Sequence, residues 1–176
     1  MTMTNGIAKM TWKLLLLAAL TIGPASIVLV GQSGHDRGKD KVLYVWAQDQ
    51  AHKAPDFLAV INFDEDSSQY GKVIKTVPIP PPGNIGNEPH HCHLNWEKTV
   101  LACGGLLSVL KDQNGIFFFD VKDAANPRFL FSTRAVESSI TDDFLPTEGG
   151  GFLVTQMGAA DGTTPGLVGV SAQLER

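Results

Sequence analysis

The chain has 176 residues, enough for one domain with a sizeable core or for part of a larger one. Its net charge is −4 and only 18% of its residues are charged, which argues against a nucleic-acid partner. The 18 glycines and 10 prolines fall between short apolar runs, favouring strands and turns over long helices.

Residues 1–31 read as a secretory signal peptide. Lys9 and Lys13, with no acid nearby, precede a nearly unbroken apolar run from Leu14 to Gly31 that Gly23 and Pro24 interrupt. That run, residues 14–31, is also close to the length needed to span a bilayer, roughly 18 residues. An uncleaved signal attaching the protein to a membrane is therefore the alternative to a secreted or periplasmic one. Residues 32–41 follow as a polar linker, in which HDRGKDK alternates charge sign and holds His35 in solvent.

From Lys41 onward short apolar runs alternate with turn signals. KVLYVWA, DFLAVINFD and YGKVIKTVPI read as three successive strands, with DEDSSQ as the acidic turn between the last two. PIPPPGNIGNEP holds too much proline and glycine for a helix or a central strand and reads as a loop. EKTVLACGG, GIFFFDVKD and PRFLFSTRA continue the series, and ITDDFLPTEGGGFLVTQMG supplies two strands around PTEGGG. DFLAVINFDED with YGKVIKTV and GIFFFDVKDAA with PRFLFSTR form an internal echo: apolar strand, acidic turn, partner strand. Such spacing belongs to a sandwich, a barrel or a β-propeller.

The chemistry concentrates in GNEPHHCHLNW. His90, His91, Cys92 and His93 are consecutive, in a chain with only five histidines and two cysteines. Imidazoles suit copper, zinc and iron. In a regular strand, however, His91 and His93 point to one face and His90 and Cys92 to the other. Adjacent histidines share a metal only if the backbone twists between them. Pro89 is expected to set the strand entry, pushing Glu88 toward extended geometry. His93 reads equally as a ligand or as an ordinary strand residue, and Cys92 as a small buried residue rather than a thiolate ligand. Cys92 and Cys103 lack zinc-finger spacing, and their pairing is open at this level. Asp142 and Asp143 in ITDDF read as an acidic turn or as carboxylates that orient an imidazole from outside the ligand shell. GGLLS and GGGF read as turns, since neither follows a strand and opens a helix as a phosphate loop does. His52 is expected in solvent.

APDFLAVINFD, SSQYGKVIKTVPIP, EPHH, ACGGLLSVL, FFFDVKDAANPRFL, ITDDF and GGGFLVTQMGAADGTTPG together resemble the N-terminal region of the selenium-binding protein family, which includes methanethiol oxidases. The resemblance runs from about Val42 to Gly166. It implies an all-β chain: a β-propeller fragment of about three blades out of a seven-bladed fold, at about 40–50 residues per blade. The last residues, 167–176, diverge from the family pattern, which would continue into another strand. Animal members carry a cysteine after the Gln-Tyr pair as their selenium attachment point; Gly71 stands here, so selenium attachment is not expected. His90 and His91 match the family's His-His pair, which implies a role in binding copper, with His93 as a third candidate and Asp142 and Asp143 behind them. The full-length family implies oxidation of methanethiol, a small thiol, by oxygen to formaldehyde, hydrogen sulfide and hydrogen peroxide. Whether this chain alone is an enzyme stays open. The alternative is a non-catalytic, metal-free binding or scaffold module, whose open propeller edges would self-associate.

Overall fold

The computed structural model describes residues 41–135 and 140–158, and the backbone of 166–170. The apolar segment 14–31, expected as a signal or anchor, and His35 lie outside the described residues.

The described chain is all-β, with ten strands in three antiparallel sheets. The first sheet holds β1 (Val42–Ala47), β2 (Phe57–Asn62) and β3 (Val73–Pro78) in chain order. The second holds β4 (Pro89–Leu94), β5 (Val100–Gly105), β6 (Ile116–Asp120) and β7 (Arg128–Thr133), again in chain order. The third holds β8 (Thr141–Pro146), β9 (Phe152–Gln156) and β10 (Gly166–Val170). Three consecutive meanders of this kind are the pattern of a β-propeller-like fragment. The echo seen in the sequence is structural: the β2–β3 and β6–β7 hairpins each carry a register shift, at Val60/Ile61 and at Phe118/Phe119.

Two expectations need correction. Residues 167–176 were expected to leave the strand pattern, yet Gly166–Val170 pairs antiparallel with β9 along its whole length. GGLLS does follow a strand and lead into a helix, but only a single 3₁₀ turn, Ser108–Lys111. One such turn offers no aligned row of amides for a phosphate.

The inner strands of the middle sheet, β5 and β6, are buried on both faces, and the side-chain period of two explains how. Leu101, Cys103, Phe117 and Phe119 face the first sheet, where they meet Leu58, Val77 and the partly buried Tyr44 and Trp46. The residues between them, Val100, Ala102, Ile116 and Phe118, face the third sheet and pack on Phe144, Phe152 and Val154. This is why IFFFD is apolar without alternation: both of its faces are interior. Trp46 Nε1 donates to the Gly104 carbonyl at 2.8 Å, and the Tyr44 hydroxyl donates to that of Ala124 at 2.8 Å, tying β1 to the second sheet. Burial, with the Asp123 charge adding to it, pushes the Tyr44 phenol up to about 12.

The loop between β3 and β4 is irregular, as its prolines and glycines require, but firmly held. Asp56, buried, accepts from the Gly86 amide (3.2 Å), the Asn87 amide (2.7 Å) and Asn87 Nδ2 (3.0 Å). Ser108 Oγ in turn donates to Asn87 Oδ1 at 2.7 Å. Glu88 is not extended as Pro89 would favour; it sits at φ +56. Its carbonyl and that of Asn87 accept from the Leu106 and Leu107 amides, and these tertiary bonds override the local preference. Gly71 closes the β2–β3 hairpin at φ +76, with its amide donating to Asn62 O. A cysteine there would be strained, which accounts physically for the glycine.

Candidate metal centre

β4 and β8 are the first strands of their sheets, and each is hydrogen-bonded on one side only. Both are bulged, and the bulges build the site. In β4, Pro89 pairs with Gly105 and Cys92 with Cys103, so His90 and His91 together stand opposite Gly104 alone. The extra residue cancels the alternation that would have sent the two rings to opposite faces. Their rings instead stack, with centroids 4.2 Å apart and planes 28° from parallel. In β8, Thr141 pairs with Gln156 and Phe144 with Val154, leaving Asp142 and Asp143 opposite Thr155 alone. Thr155 Oγ1 accepts the Asp143 amide at 2.9 Å and pins this bulge.

The bulges bring all five candidate residues together between the second and third sheets. His90 Nε2 lies 3.2 Å from Asp142 Oδ1, and His91 Nδ1 is 3.7 Å from both Asp142 Oδ1 and Asp143 Oδ1. His93 Nε2 is 3.3 Å from Asp143 Oδ1. One ligand atom from each of His90, His91 and Asp142 falls within a 4.8 Å group, a set able to hold a metal ion. Asp142 Oδ1 lies within this group beside the two imidazoles. His93 and Asp143 form a neighbouring pair outside that group. The two carboxylates lie on a strand and not in a turn. Side-chain exposure runs from 33% for His90 and Asp142 to 52% for His91, so the cluster is open to solvent from one side. His52 is exposed and outside the cluster.

Cys92 is neither free nor a ligand: it forms a disulfide with Cys103. The two are direct cross-strand partners with Cα atoms 4.1 Å apart. Sequence reasoning left this open because the pairing depends on register, and register depends on where the bulge falls. The adjacent pairs His90–His91 and Asp142–Asp143 were the available signal. Two like residues in succession on one strand can act together only where the strand is irregular.

No family model matches the chain. It is similar to a methanethiol oxidase from Hyphomicrobium sp., 35% identical over 95 residues, which is 53% of this chain and 20% of that protein. Among solved structures it is similar to a hypothetical selenium-binding protein from Sulfolobus tokodaii, with a TM-score of 0.61 at 17% identity. That match covers 74% of this chain and 32% of the other. The chain therefore spans a third or less of the length of either relative. Sequence likeness to the one and fold likeness to the other support a selenium-binding protein/methanethiol oxidase-like family.

Proposed function

We propose that His90, His91 and Asp142 are copper ligands in a selenium-binding protein/methanethiol oxidase-like protein, and that the three sheets are three blades of its seven-bladed propeller. The observation that carries this reading is the pair of facing bulges, which bring two adjacent imidazoles and two adjacent carboxylates together. The donor set fits: imidazole nitrogens suit Cu(II), and a carboxylate oxygen can complete part of a tetragonal arrangement. Bound copper would supply the electron transfer between a small thiol and oxygen. Overall, methanethiol, oxygen and water would give formaldehyde, hydrogen sulfide and hydrogen peroxide. The chain's own residues orient the donors. Asp143 holds His93 beside the ligand group, and Thr155 holds the strand that carries both carboxylates. The reading includes export directed by residues 1–31, into a compartment where a disulfide persists, and self-association through exposed apolar side chains such as Leu145.

One observation favours a metal-free scaffold instead. His90 already hydrogen-bonds with Asp142, and His93 Nε2 lies 3.3 Å from Asp143 Oδ1, without an ion. Copper titration of the purified chain, followed by electron paramagnetic resonance, separates the two. Two imidazoles and one carboxylate leave coordination incomplete, so binding is expected to be weak, with nitrogen hyperfine structure. His90→Ala/His91→Ala should abolish it, Asp142→Asn should weaken it, and His52→Ala should leave it unchanged. Unchanged binding in the double variant would give the site to the scaffold reading.

A further inference from the structure

We propose that the Cys92–Cys103 disulfide is a redox-sensitive clamp that holds the bulge presenting His90 and His91. The inference rests on the metal reading above only for its consequence, not for its geometry.

β4 is poorly held where the histidines sit. It is an edge strand, it begins with Pro89, which has no amide hydrogen to donate, and its next two residues share one partner. The ladder resumes only at Cys92–Cys103, the first regular pair after the bulge. The covalent tie thus falls at the point where register is re-established. Its far end is anchored: Cys103 is wholly buried in the core between the first and second sheets. Its near end flanks both His91 and His93. Were β4 to slip by one residue, His90 would turn to the opposite face and the cluster would separate. A bond between Cys92 and Cys103 forbids that slip.

The bond is also approachable. Cys92 is half-buried and lines a shallow open groove with Leu43, Tyr44, His93 and Trp96. A dithiol reductant attacks the Cys92 sulfur, breaking the S–S bond and releasing Cys103 as a thiol after it takes up a proton. The reductant's second thiol then closes its own disulfide and frees Cys92. Two electrons and two protons pass to the protein in all. The freed Cys92 side chain faces the first sheet, away from the His90–His91–Asp142 group, so reduction removes a restraint without adding a ligand.

Two arms test this. In the first, without metal, histidine ring signals are compared by NMR in oxidised and dithiothreitol-reduced protein. The clamp requires the His90 and His91 signals to shift or broaden on reduction and to recover on reoxidation, while His52 stays fixed. Identical spectra would overturn it. In the second arm, Cu(II) is titrated into wild type, Cys92→Ala/Cys103→Ala and Cys92→Val/Cys103→Val, the valine pair preserving strand packing should the alanine pair fail to fold. A folded variant should bind Cu(II) about tenfold more weakly or worse, as when a supporting group is removed from behind a metal ligand. Equal affinity in a folded variant would overturn the proposal. Absence of copper binding in wild type would refute the metal reading while the NMR arm still decides the clamp.

Discussion

Replacing Asp56 by alanine should be among the most damaging single changes available outside the aromatic core. Its side chain is 1% exposed and receives three hydrogen bonds, from the Gly86 and Asn87 amides and from Asn87 Nδ2. Removing it leaves three donors in a dry site. A buried donor without a partner costs about 1–3 kcal/mol. Asn87 Nδ2 retains its 2.9 Å bond to the Gly83 carbonyl, so that group loses least. The losses are also not additive within one network. A total of about 3–5 kcal/mol follows. At this chain length that corresponds to a fall in Tm on the order of 10 °C. Urea unfolding monitored by tryptophan fluorescence, with circular dichroism as a second probe, measures it. Ser108→Ala, which removes a single bond to Asn87 Oδ1, should cost about 1 kcal/mol. The double variant should be less destabilised than the sum of the two, because both act through Asn87. An Asp56→Ala chain within about 1 kcal/mol of wild type would refute the reasoning. It would mean that the loop entering β4 is held by its backbone bonds alone.

Two further outcomes follow from the same packing. At Gly105, an added Cβ would collide with Ser108 Oγ and lie 3.0 Å from the Phe117 ring and 3.1 Å from Asn87 Cβ; Gly105→Ala should therefore cost about 1–3 kcal/mol in urea unfolding, as overpacked sites do. The Tyr44 phenol, raised to about 12 by burial, binds its proton more tightly folded than unfolded. Its contribution is therefore complete below the unfolded value near 10 and lost as pH rises toward 12. Tyr44→Phe should give a melting temperature that falls less steeply across that window, and parallel curves would show that Tyr44 is not the group titrating.

β1 to β3, β5 to β7 and β9 were legible because turn residues punctuate them and their runs are apolar. Pro80 to Gly83 could belong to nothing but a loop, and the unalternating IFFFD already pointed to a strongly apolar strand. The site was legible only as a list. Its histidines and aspartates stood out as adjacent pairs, but their meeting depends on two bulges, and a bulge is a property of a strand with its partner. The period of one strand cannot reveal it. The same holds for Cys92 with Cys103, and for Glu88, whose positive φ is imposed by amides from the chain beyond β5. β10 was missed because Gly166 and Gly169 dilute a short apolar segment that backbone pairing to β9 nonetheless recruits.

The division of β6 between two cores has a consequence for how the molecule comes apart. Phe117 and Phe119 belong to one apolar cluster, Ile116 and Phe118 to the other. In a row of stacked units, stability is a sum over units and the junctions between them, and weak junctions let the row melt piecemeal. Here the junctions share the middle sheet, through β5 and β6 alike. Stripping either neighbouring sheet away would bare half of their side chains to water and leave the other half on a sheet with no backing. The middle sheet therefore acts as a thermodynamic coupler, making partial unfolding from either end a costly intermediate and favouring loss of both cores in one transition.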